Sequence, residues 1–222
     1  MTTPVRLLLL LIAGAMAMGA VDAVGDRMRP PAGALLTDDG DTVAVTAAAR
    51  AAGLRYTADV TPADRAWIGE ALARARPEAA ALLAEVDGMV TLGVLPPTGD
   101  GTLGVTSGNG TGFTIDLAFS RLDTDRQTDR GMVVLHEFGH VIDFALVDAA
   151  TGAKLDALIP HGGPCGLAVG CDLPAERFAD TFAKWALRGG VSSVGAGYGI
   201  PAPASIETWG EPLGLLAIRL PK

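Results

Sequence analysis

The spacing of apolar positions changes along this chain, and each change marks an element. The first run, Leu7 to Val21, is apolar with no period and follows one positive charge, Arg6. A polar stretch rich in Pro, Gly and Asp comes next, and a helical spacing starts at Thr61. In TPADRAWIGEALARARPEAAALLAEVDG, Thr61 suits an N-cap and Pro62 the first helical position, while Trp67, Ile68, Ala71 and Leu72 recur on one side. Pro77 breaks that pattern, which predicts two helices, or one kinked helix, ending near Gly88. Strand-like runs then take over. MVTLGVL (89–95) is rich in β-branched residues, and TLGVTS and TGFTIDLAFS flank Gly108-Asn109-Gly110, a hairpin signal. Phe113, Ile115, Leu117 and Phe119 alternate as one buried face of a strand does.

Helical spacing returns from about Thr128 to Val147, where Met132, Val133, Leu135, Val141, Ile142 and Phe144 predict a deeply buried helix. A last clear helix lies in DLPAERFADTFAKWALRGG, with Asp172 as N-cap, Pro174 in the first turn and Gly189 as C-cap. The tail, IPAPASIETWGEPLGLLAIRLPK, is punctuated by Pro and Gly and gives no readable period. Helix, clustered strands, helix, helix is the order of an α+β domain.

The ends of the chain refine the domain plan. Residues 1–23 read as a signal peptide, with small residues offering cleavage after Ala17 or Ala23. A retained N-terminal anchor is the alternative, although Asp22 cuts the run short of the roughly 20 apolar residues a span needs. Residues 24–41 read as a flexible linker and 42–222 as the folded domain. A secreted or extracytoplasmic location follows, and with it a disulfide between Cys165 and Cys171, the only two cysteines. Asn109-Gly110-Thr111 also matches a glycosylation sequon. Hydrophobic residues make up 49% and charged ones 19%, enough for a real core. The net charge of −8 disfavours nucleic acid and anionic lipid as partners, so no membrane contact is expected unless the leader stays as an anchor.

Candidate chemistry is concentrated in MVVLHEFGHVIDFAL. Two of the three histidines, His136 and His140, stand four apart and so share one helix face, where both imidazoles can meet one ion. Glu137 is turned about 100° from His136 and is better placed to act on a bound water than to ligate. Two ligands plus a general base is the physical content of an H-E-x-x-H helix. Chance is the competing reading, but an apolar helix is a poor place for two unpartnered histidines. Gly139, which costs about 1 kcal/mol against Ala in mid-helix, further predicts a close approach by something else. A catalytic zinc wants a third protein ligand. His161 is one candidate and Glu176 the better one, because Asp180 lies one turn on and could accept the free N–H of a bound histidine.

HEFGHVID followed about forty residues later by ERFADTFA resembles the gluzincin zinc metallopeptidases, and among them the catalytic domain of the anthrax lethal factor type. The likeness spans Met132 to Leu187. It implies a zincin-like domain with one zinc per chain on His136, His140 and Glu176, Glu137 as base, Asp180 supporting a ligand, and a peptide or protein as substrate. That family also has a tyrosine shortly before the ligand glutamate to stabilise the oxyanion, and CGLAVGCDLPA has none. Tyr198, in GAGYGIPAP, and His161 are the substitutes the chain offers. An exported zinc endopeptidase is therefore the leading expectation. A metal-binding but non-proteolytic interaction domain, and a zinc amidase acting on cell-wall peptide, are the alternatives. In a zincin the cleft edge would be the strand before the active helix, here GFTIDLAFS.

Overall fold

The computed structural model describes residues 53–99, 101–108, 112–124, 128–161, 173–189 and 200–220. The leader (1–23), the linker (24–41), the domain start at Thr42, the Asn109 sequon, Cys165, Cys171, Asp172 and Tyr198 lie outside the described residues. Within them are seven α-helices and a four-stranded sheet, so helix and sheet are mixed in one architecture.

Strand β1 (Arg55–Tyr56) leads to α1 (Pro62–Ala73) and α2 (Pro77–Val86). Thr61 and Asp64 form a reciprocal capping box, Thr61 Oγ1 accepting from Asp64 N at 3.2 Å and Asp64 Oδ2 accepting from Thr61 N at 3.0 Å. Pro77 starts α2 because a proline lacks the N–H that a helix interior requires but a first turn does not. A 3₁₀ turn, Asp87–Met89, then feeds β2 (Val90–Val94). Strands β3 (Gly104–Gly108) and β4 (Phe113–Leu117) pair antiparallel, as the hairpin signal predicts. The remaining helices are α3 (Phe119–Thr124), α4 (Arg130–Leu146), α5 (Ala149–Ala157), α6 (Pro174–Ala186) and α7 (Ile206–Arg219).

The sheet runs β1-β2-β4-β3, with β1, β2 and β4 parallel. One face is buried through Val90, Leu92, Phe113, Ile115 and Leu117, which is the period-two pattern of the sequence; Phe119 falls beyond the strand, in α3. Helix α4 runs through the core, and every residue from Gly131 to Ile142 is buried. It packs on α1, α2, α6 and the sheet. Helix α7, which gave no readable signal, has Pro212 and two glycines inside it. It forms because Ser205 caps it and Trp209 is buried against Phe178, with its Nε1 donating to Leu155 O at 3.1 Å.

Two expectations are corrected. GFTIDLAFS is not the cleft edge: β4 lies between β2 and β3, so its backbone groups are already used on both sides. The edge beside α4 is β3, added on the outside by the hairpin. The N-cap of α6 is Leu173 rather than Asp172, because Pro174 takes the first helical position and so makes its immediate predecessor the cap.

Candidate metal centre

The site is built on α4. Asp129 caps the helix, accepting from Gly131 N at 2.8 Å and Met132 N at 3.3 Å, and it is itself gripped by both Arg74 guanidinium nitrogens at 2.8 and 2.9 Å. Those bonds and the Arg74 charge outweigh burial and lower its pKa, so the cap stays ionised at the positive end of the helix. Nearly two turns on, His136 and His140 project from the same face, their rings edge to face at 4.9 Å. Phe144 stacks beyond His140 at 6.3 Å.

Helix α6 supplies the third group. The approach is set at Gly139, where a Cβ would stand 2.8 Å from Ala179 Cα and 3.1 Å from Ala179 O. The two helices therefore touch backbone to backbone, which is the close approach that a mid-helix glycine implied. One turn back from that contact on each helix are His136 and Glu176. Glu176 Oε2 lies 3.1 Å from His136 Nε2, and Glu176 Oε1 lies 3.5 Å from His140 Nε2. One ligand atom from each of the three residues falls within 4.8 Å of the others.

Burial opposes the charged forms here, but the groups offset it for one another. Burial pulls the His136 pKa down; its bond to Glu176 and the charges of Glu176, Glu137 and Asp180 push it up to about 8. Glu176 likewise loses solvation, yet the two histidines hold its carboxyl well below the usual carboxylate range. Two buried imidazole nitrogens and a half-buried carboxylate oxygen, converging on one point, suit a divalent ion that would stand where the shared protons now are. His136, His140 and Glu176 could thus bind a metal ion.

The other predicted residues fall around this group. Asp180 is fully buried, pairs with Lys184 one turn on, and raises the proton affinity of His136 by its charge. His161 does not join the group. It is exposed, with Nδ1 3.1 Å from Arg177 Nη1. Arg177 itself is only 1% exposed, bonded to Asp156 Oδ1 at 2.8 Å and to the carbonyls of Asp156, Ile159 and Pro160, so it locks α6 to the end of α5. Glu137, 4% exposed, turns from the ligand face toward β3, where it meets Thr106 and Gly104. Neither was singled out from sequence. The available signal was the small and polar pair at alternate positions 104 and 106, where an inward strand face would usually be apolar.

No protein-family model matches this chain, and no curated protein or solved structure matches it either.

Proposed function

We propose that the protein is an exported zinc-dependent endopeptidase. The observation that carries this reading is the convergence of His136, His140 and Glu176, from two helices in backbone contact, beside a glutamate that stays outside the donor set. Zinc suits two nitrogens and one oxygen, and when bound it would supply an acidified water and a positive charge for a substrate carbonyl. Glu137 then serves as general base, accepting a proton from the attacking water and delivering it to the departing amine. Asp180, through its charge, favours the ring orientation and basicity a bound His136 needs.

An extended peptide fits along β3. Ala118 N donates to Leu103 O at 2.9 Å, which sets the antiparallel phase and turns the N–H and C=O of Gly104 and Thr106 away from β4. Among the described residues no strand pairs with that side. A substrate backbone can take it as an added strand, next to Glu137. The leader supports export; among the described residues no helix is long and apolar enough to cross a membrane.

Zinc content and turnover test this reading together. Wild type should carry about one zinc per chain, and His136→Ala and Glu176→Ala should lose it. Glu137→Gln should keep the zinc but cleave a peptide library roughly 10²–10⁴-fold more slowly. A wild type that takes up no zinc on reconstitution would sink the proposal. Zinc binding without cleavage would leave a metal-binding, non-proteolytic domain.

A further inference from the structure

Glu137 is held by the strand facing it. Thr106 Oγ1 lies 2.7 Å from Glu137 Oε2 and 3.1 Å from the Glu137 carbonyl oxygen, so its one proton is donated chiefly to the nearer carboxylate oxygen. Two positions earlier on the same face of β3, Gly104 leaves the space the carboxylate occupies. A Cβ there would stand 2.4 Å from Oε1, 2.7 Å from Cδ and 2.8 Å from Cγ. Alternation explains the pair: Gly104 and Thr106 face α4, while Val105 and Ser107 point outward and are exposed. The carboxylate therefore rests on the β3 backbone with its other oxygen fastened by a hydroxyl.

That position matters because of what stands next to it. A dication on His136 attracts any nearby carboxylate, and zinc accepts carboxylate oxygen as well as imidazole nitrogen. A glutamate adjacent to a ligand histidine can swing onto the metal, and once there it closes the open coordination position. In this protein Glu137 is kept out of the donor group formed by His136, His140 and Glu176. We propose that Thr106 is a positioning residue which, with the space left by Gly104, holds the Glu137 carboxylate on β3 so that it faces the metal without ligating it. Both consequences rest on zinc binding at His136, His140 and Glu176, and the consequence for turnover rests also on the peptidase reading. The same strand offers its free edge to a peptide, so base and substrate share one frame, and loss of the fastening should act on kcat more than on KM.

A double-mutant cycle on zinc affinity, read by competition with a chromophoric chelator in the full chain, tests this. Thr106→Val removes the hydroxyl at constant shape and should tighten zinc about fivefold or more by releasing Glu137 onto it. In a Glu137→Gln background the same change should move affinity less than about twofold, and Thr106→Ser should restore the wild-type value. Gly104→Ala removes the seat instead of the fastener, should give the same non-additive pattern, and carries the test if Thr106→Val does not fold. On a cleaved peptide, Thr106→Val should lower kcat on the order of tenfold with KM within about twofold. Equal affinity changes in both backgrounds would overturn the proposal, since Thr106 would then act on the fold and not through Glu137. Non-additive affinity with no cleavage by any variant would sink the peptidase reading and leave the positioning role standing.

Discussion

His136 and Glu176 are each other's solvent in the metal-free protein, and their pKa shifts make stability depend on pH in a defined direction. The His136 pKa rises from 6.5 to about 8, so its contribution is complete below about 6.5 and is lost as pH rises through about 8. Glu176 is lowered from 4.5, so its contribution is present above that value and is lost as pH falls below it. The metal-free chain should therefore gain most from this pair between about pH 4.5 and 6.5. A denaturant midpoint measured against pH should show a decline from pH 6.5 to 9 that Glu176→Gln lacks. Metal binding runs the other way: the His136 proton must leave, so affinity should climb as pH approaches 8. His136 and Glu176 are forty residues apart, but each is marked locally, one by the four-residue spacing to His140 and the other by the acidic face of its own helix. Nothing local marks Thr106.

At the level of elements, one contact decides whether the ligands meet. Helices α4 and α6 approach at Gly139 and Ala179 with no side chain between them. Any Cβ at 139 pushes against backbone, which cannot rotate away as a side-chain tip can. Gly139→Val should cost roughly 1–3 kcal/mol by overpacking, less the few tenths that valine regains over glycine in a helix. More tellingly, it should weaken metal binding by on the order of tenfold, since it moves the helix that carries Glu176 and leaves each ligand intact. Thermal unfolding of the metal-free form and zinc competition separate the two effects. An unchanged zinc affinity would mean that the two helices are not held by this contact. Gly139 was readable as the mark of a close approach, but its partner was not. The helix α7 was missed for a related reason: its local signals, Pro212 and two glycines, argue against a helix, and burial of Trp209 prevails over them.

The whole molecule joins α4 and α6 to the sheet through one core, so the metal should stabilise all of it together. The three donor residues come from both helices, and a bound ion closes the chain between residues 136 and 176. At free zinc about 100-fold above its Kd, linkage adds about 2.7 kcal/mol, or roughly 5–10 °C in Tm for a chain of this size. Chelation should remove that increment and zinc should restore it, while His136→Ala should show neither change. Calorimetry with and without chelator checks this. A Tm indifferent to zinc would mean the ion does not select the folded state.

What the sequence determined by itself is what lies within a few residues along the chain. The cap at Thr61, the helix start at Pro77, the alternation from Phe113 to Leu117, and the His136–Glu137–His140 spacing are all of this kind, because helix and strand periods convert short separations directly into faces. Tertiary structure decided whatever depends on distant backbones meeting. It made β3 and not β4 an edge strand among the described residues, gave Gly139 its partner in Ala179, and turned His161 to Arg177 instead of to His136, His140 and Glu176. It also seated Glu137 on Gly104 and Thr106. Packing of that kind is settled by which surfaces fill one another, and no local period encodes it.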